Sequence, residues 1–239
     1  MKAIRIFASG LFFFLFGMNS WMVQMHAQEL YDAFYSQASQ DEFVHALLCE
    51  LLGKQDIGYY LEIGASDPIV TNNTYFFEKN YGWKGISIDI AERYAAIWNL
   101  ARENSLLIND ATQVDYHAIL LPFPRIIDYL SLDVDDQYDL VLQRIPFENY
   151  IFKVITIEHD FYRFGDVYRK REREILSSLG YYLLCPDIKH GELIFEDWWI
   201  HPSTFPDKMF STLTSLDLKE KQHDQIIRIL KSIKDPIEP

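Results

Sequence analysis

Two cysteines in 239 residues, Cys49 and Cys185, cannot build a disulfide framework, nor by themselves a four-cysteine zinc site. Cations are scarce as well. Lys and Arg total 22 against 35 Asp and Glu, a formal charge of −13 at pH 7. Gripping nucleic-acid phosphates, or adsorbing to anionic lipid, draws on clustered Lys and Arg, so this chain suits neither. No internal repeat and no low-complexity linker follows Gln28. What is plentiful is apolar: 49% of residues are hydrophobic and 15% aromatic, far too many for a disordered chain and ordinary for one globular domain.

The N-terminus stands apart. Lys2 and Arg5 precede the apolar run IFASGLFFFLFGM from Ile6 to Met18, and Met25-His26-Ala27 offers a cleavage point. Residues 1–27 read as a secretory signal peptide or, with the run extended to Val23, an N-terminal membrane anchor. The functional domain is then 28–239, touching a membrane only through that leader.

Downstream, DEFVHALLCELL at 41–52 has the spacing of an amphipathic helix that Gly53 ends. Short buried-looking runs come next at Tyr59–Ile63, Gly85–Ile88, Ser105–Ile108, Ile127–Leu132, Val154–Ile157 and Tyr181–Cys185, and Leu193–Phe195 adds a last strand. Helical patterns fall at Ala91–Asn104, Tyr168–Leu179 and Gln222–Lys231. Apolar strands alternating with helices predict an α/β domain, a mostly parallel sheet with helices on both faces.

Ligands of such sheets bind beyond the carboxyl ends of the strands, so the residues there carry the functional signal. The first strand ends in Glu62-Ile63-Gly64-Ala65-Ser66-Asp67-Pro68. A dinucleotide loop would repeat glycine as G-x-G-x-x-G to bring a helix N-terminus to a pyrophosphate. This loop has one glycine, and Glu62 and Asp67 would repel a pyrophosphate, which counts against a nicotinamide dehydrogenase. Negative charge suits a cationic ligand, and S-adenosylmethionine, with a sulfonium and an ammonium, is one. Asp89 ends the second strand, where an acid about 20 or more positions beyond the glycine can take the two ribose hydroxyls. Asp110 ends the third, placed to reach an adenine edge. Each acid alone is more often a helix cap or turn residue; together, at consecutive strand ends, they read as a site.

Asp133-Val134-Asp135-Asp136 and Glu158-His159-Asp160 end the fourth and fifth strands. Two mechanisms are open at this acidic mouth. Asp133, Glu158 or His159 could serve as general base on a substrate hydroxyl, or Asp133 and Glu158 could hold a Mg²⁺ that lowers the hydroxyl's pKa. Asp135 and Asp136 read as caps of a helix starting near Gln137.

Several stretches together resemble the FkbM-type family of S-adenosylmethionine-dependent methyltransferases: YSQASQDEFV from Tyr35, LEIGASDP from Leu61, NNTYFFEKNYGWKGISID from Asn72, IDYLSLDVDD from Ile127, ITIEHD from Ile155, REREILSSLGYYLL from Arg171 and FEDWWIHP from Phe195. The resemblance runs in order from Tyr35 to Pro202. It implies a class I methyltransferase fold, Rossmann-like, with a seven-stranded sheet whose last strand is antiparallel and the cofactor at the ends of strands one to three. Carried over residue by residue, Glu62, Gly64 and Asp67 resemble the cofactor loop, Asp89 the ribose acid and Asp110 the adenine-side acid; Ser66, within the same loop, is a further candidate for cofactor binding. Asp133 and Glu158 correspond to acids of the catalytic mouth. Pro68 stands where the family commonly has glycine, and proline brings neither an N–H nor a positive φ.

Asn72-Asn73-Thr74 spells a glycosylation sequon, but at the start of a helix near the cofactor loop it reads as a cap. Tyr75, Phe76, Phe77, Tyr81 and Trp83 have the helical spacing of core residues. Trp198-Trp199 beside Glu196 and Asp197 is the candidate substrate wall. The expected activity is O-methylation of a hydroxyl on a sugar, lipid or polyketide-like small molecule. The rival is an exported, non-catalytic binding module that keeps the fold. Basic residues ahead of the apolar run favour placing the downstream chain outside, while the cofactor is made in the cytoplasm.

Overall fold

The computed structural model describes residues 34–233, so the predicted leader at 1–27 lies outside the described residues. Seven strands form one sheet in the order β3-β2-β1-β4-β5-β7-β6. They are β1 (Tyr59–Ile63), β2 (Lys84–Asp89), β3 (Ser105–Ile108), β4 (Ile126–Leu132), β5 (Ile151–Glu158), β6 (Tyr182–His190) and β7 (Leu193–Ile200). The first five run parallel, while β7 is antiparallel to both β5 and β6. Pairing of Leu61 with Leu130 and Ile63 with Ile88 and Leu132 puts wholly buried aliphatic side chains at the centre of the sheet. Fully burying one such side chain contributes roughly 1.5–3 kcal/mol.

The helices are α1 (Gln40–His45), α2 (Tyr75–Tyr81), α3 (Ala95–Ala101), α4 (Tyr116–Leu120), α5 (Tyr138–Arg144), α6 (Phe161–Phe164), α7 (Asp166–Ser178), α8 (Asp207–Thr214) and α9 (His223–Lys231). The first continues as a π-helical turn over Ala46–Leu51, with Leu52 N–H bonded to Leu47 O at 3.0 Å, before Gly53 turns the chain at φ +69°. Among the described residues no helix is long and apolar enough to cross a membrane.

Strands β1 and β3 have their predicted limits; β6 starts one residue later and ends five residues later than predicted, and β7 also ends five residues later. It runs on through Glu196-Asp197-Trp198-Trp199, so those residues are not a loop and form no substrate wall. Both tryptophans are fully buried, Trp198 stacking on Phe43 of α1 with ring centroids 4.2 Å apart. Their polar neighbours are tied inside the protein: Glu196 accepts from Gln40 Nε2 at 3.0 Å and Asp197 from Arg173 Nε at 2.7 Å. Asp135 and Asp136 are not caps of α5 either, whose N-cap Gln137 has no side-chain cap bond; Asp135 pairs with Arg163 at 2.9 Å.

Where β1 and β2 meet, the ring of Tyr60 lies flat against Gly85. A Cβ there would stand 2.4 Å from three ring carbons. The ring has no room to move, since its hydroxyl is fixed by Arg102 at 2.8 Å and Glu78 at 3.1 Å. Gly85→Ala is therefore expected to cost about 1–3 kcal/mol through overpacking, read as a fall in thermal midpoint of roughly 2–4 °C per kcal/mol.

Candidate functional site

The strand order reverses between β1 and β4, since the chain leaves β1 toward β2 on one side and returns to β4 on the other. A crevice forms at such a point, outside the carboxyl ends of the strands. Here it is a cleft of about 650 Å³ between the ends of β1 to β5. Glu62, Gly64, Ser66, Asp89, Asp110, Asp133 and Glu158 all line it, whereas Asp67 and His159 do not.

Gly64 is where the backbone passes closest to its neighbour. Its φ is +84°, and a Cβ would fall 1.7 Å from the carbonyl oxygen of Asp133. Only glycine fits both constraints. The loop then returns across β2: the N–H groups of Gly64 and Ala65 bond to Ile88 O at 2.9 and 3.1 Å, and Ser66 N–H to Asp89 Oδ2 at 2.7 Å. The other Asp89 oxygen accepts from Ala91 N–H at 2.7 Å. Two N–H donors thus orient a carboxylate that has lone pairs left for a ligand. Ser66 Oγ also donates to Tyr94 OH at 3.0 Å, spanning the loops after β1 and β2.

Beneath this loop lies a side chain that no motif marked. The Arg102 guanidinium, wholly buried, donates from Nε to Glu78 at 2.7 Å, from Nη1 to Pro68 O at 3.1 Å and Asn72 Oδ1 at 3.0 Å, and from Nη2 to Tyr60 OH at 2.8 Å and Thr74 Oγ1 at 2.9 Å. Thr74 passes the bond on to Glu62 Oε2 at 2.9 Å, which also accepts from Ser87 Oγ at 2.6 Å. Burial raises the Glu62 pKa; against the same upward push, Arg102 holds Glu78 below the usual carboxylate range. Asn72 Oδ1 accepts from the N–H groups of Thr74 and Tyr75 at 3.0 and 2.8 Å, so the sequon asparagine, 1% exposed, does cap α2.

Asp110 is exposed, and Thr112 lowers its pKa by donating from its hydroxyl at 2.7 Å and its N–H at 2.8 Å. Asp133 and Glu158 face each other across the ends of β4 and β5 and share a hydrogen bond. Burial, and then the neighbouring charge and that bond, push Glu158 far up, so it keeps its proton at neutral pH; burial raises Asp133 to about 6. Every charged residue of the lining except Arg93 is acidic.

Three expectations are corrected. Asp67 is not a ligand-facing acid: its Oδ1 accepts from the N–H groups of Ile69 and Val70, both at 2.9 Å, closing an Asx turn around Pro68. His159 is not at the mouth: it is fully buried behind β5, 3.5 Å from Asp197 Oδ1 and next to the Arg173 pair. Asp133 and Glu158 gather no metal-ligand set. Among the described residues the one trio with ligand atoms within 4.8 Å is His159, Asp187 and Asp197, and there Arg169 and Arg173 already occupy the carboxylates at 2.6–2.8 Å.

Parallel strands with β7 reversed between β5 and β6 make this a class I methyltransferase-type fold. The sequence matches no protein-family model, and no curated protein matches it. Among solved structures it is similar to an rRNA methylase from Streptococcus thermophilus, at 12% identity and a TM-score of 0.45 over 71% of this chain and 99% of that one. It is also similar to the magnesium protoporphyrin IX methyltransferase of Synechocystis PCC 6803 with bound SAM, at 9% identity and a TM-score of 0.41 over 67% of this chain and 78% of that one. A third is the Dnmt2 methyltransferase of S. pombe, at 15% identity and a TM-score of 0.41 over 59% of this chain; this chain spans 47% of that one.

Arg102→Ala would strand the buried Glu78 carboxylate and four further acceptors. The expected loss is about 3–5 kcal/mol, measured by urea unfolding, with a far smaller loss expected for the exposed Arg93→Ala.

Proposed function

We propose that this chain is an S-adenosylmethionine-dependent methyltransferase of the FkbM type, acting on a hydroxyl of a small molecule such as a sugar, lipid or polyketide-like compound. The observation that carries the reading is the sign of the cleft. A cavity at the switch point, lined by carboxylates with one arginine at its edge, suits a ligand bearing a sulfonium and an ammonium and opposes one bearing a pyrophosphate or a nucleic-acid backbone. The segments shared with the family support it, for Gln37, Gly64, Asn73, Asp133 and Glu158 come from five of them and line one cleft.

The residues present fit the cofactor. Asp89, held by two N–H donors, would accept the ribose hydroxyls; Gly64, without a side chain, leaves the loop open to close approach; Asp110 and Ala111 would flank the adenine. When bound, the cofactor supplies an electrophilic methyl group. The chain's own part is to hold an acceptor oxygen in line, which lowers the barrier by orientation, and to remove its proton. Asp133 is the base, and the protonated Glu158 bonded to it fixes which oxygen is free. A Mg²⁺ at this pair is not part of the proposal, because among the described residues no third ligand joins Asp133 and Glu158.

Calorimetric titration tests the reading. S-adenosylmethionine should bind and NAD should not, and Asp89→Ala should weaken the cofactor at least about tenfold, the effect of losing bonds to a charged acceptor. No binding, or tighter binding of NAD, would overturn it. Methyl transfer, followed by release of S-adenosylhomocysteine, should rise with pH through about 6 as Asp133 ionises. It should survive a chelator and Glu158→Gln, and be lost in Asp133→Asn.

A further inference from the structure

Neighbouring asparagines at the start of α2 use their amides differently. Asn72 spends its oxygen on Thr74, Tyr75 and Arg102. Asn73, 5% exposed, donates from Nδ2 to Ser131 Oγ at 2.9 Å, and its Oδ1 has no partner among the described residues. The amide lines the cleft. Its orientation is set from below by the Ser131 hydroxyl, which stands on β4 beside the Tyr129 and Thr156 hydroxyls that share a bond of 2.8 Å. Ser131 Oγ accepts from Nδ2, which leaves the Asn73 oxygen buried in the cleft wall without a partner among the described residues.

A buried acceptor without a donor is costly and rarely left standing in a native protein. The cleft's other charged groups are carboxylates apart from the exposed Arg93, and no donor of the described residues meets the Asn73 oxygen. The missing donor therefore belongs to a ligand. Asn73 reaches the floor beside Ser131, two residues before Asp133 on β4, whereas the ribose acid Asp89 ends β2 on the far side of β1. A group arriving there is the end of the cofactor remote from its ribose. Of the two groups at that end, the carboxylate only accepts; the ammonium carries three donors.

We propose that Asn73 Oδ1 is the acceptor for the ammonium group of the cofactor's amino-acid end, and so sets the cleft's preference for a complete cofactor over its nucleoside part. The proposal rests on the methyltransferase reading, and its test separates the two. The 239-residue chain is titrated with S-adenosylhomocysteine and with 5′-methylthioadenosine, which lacks the amino-acid end. In Asn73→Ala the first should bind about tenfold more weakly and the second unchanged. Asn73→Asp, which keeps an acceptor in the same shape, should retain S-adenosylhomocysteine. Equal weakening of both ligands in Asn73→Ala would make the residue a structural support and overturn the assignment. So would unchanged S-adenosylhomocysteine binding in Asn73→Ala, the acceptor then serving the methyl-accepting substrate, or its loss in a folded Asn73→Asp. A wild-type chain that binds neither ligand would overturn the methyltransferase reading along with it.

Discussion

One guanidinium joins the parts of the cleft that must not move relative to one another. Arg102 lies just past α3, yet its five bonds reach β1 through Tyr60, the loop through Pro68, and the start of α2 through Asn72, Thr74 and Glu78. A planar fork with donors in fixed directions can do this; a lysine could not. Through Thr74 the same charge reaches Glu62 at the cleft floor. The positive φ of Gly64 and the Asx turn of Asp67 are held between this anchor below and Asp89 above.

The surplus of negative charge is thereby divided into two kinds. Four carboxylates on β6, β7 and α7 are internal: Asp187 and Asp197 are matched by Arg169 and Arg173, while Glu172 and Glu196 are pushed far up in pKa by burial. Carboxylates at the ends of β1 to β5 form no such direct ion pairs among the described residues, apart from Asp135 and Asp160 with Arg163. The unmatched set is where a cationic ligand finds its potential.

Most of the fold was legible because parallel strands buried on both faces read as short apolar runs closed by polar residues. Legibility ended where burial was achieved by pairing. Glu196-Asp197 looked like a loop because two acids seldom lie inside a strand; their partners Gln40 and Arg173 stand 156 and 24 positions away. Asp67 and His159 failed for a local reason, in that neighbours at a strand end point different ways and the sequence does not say which faces the cleft. Arg102 lies in no motif, and only its five partners reveal it. Asn73 was hidden by the sequon, which drew attention to capping, a task its neighbour performs.

The reversed strand has a consequence for how the molecule is made. β6 is joined to the sheet through β7 alone, and β7 also covers the edge of β5. During synthesis β6 leaves the ribosome first, with no strand to join. Until Leu193–Ile200 emerge behind it, β5 presents an open row of backbone donors and acceptors, backed by apolar side chains, to any other nascent chain. The last strand of this sheet to be translated is thus also the one that makes the growing chain safe from its neighbours.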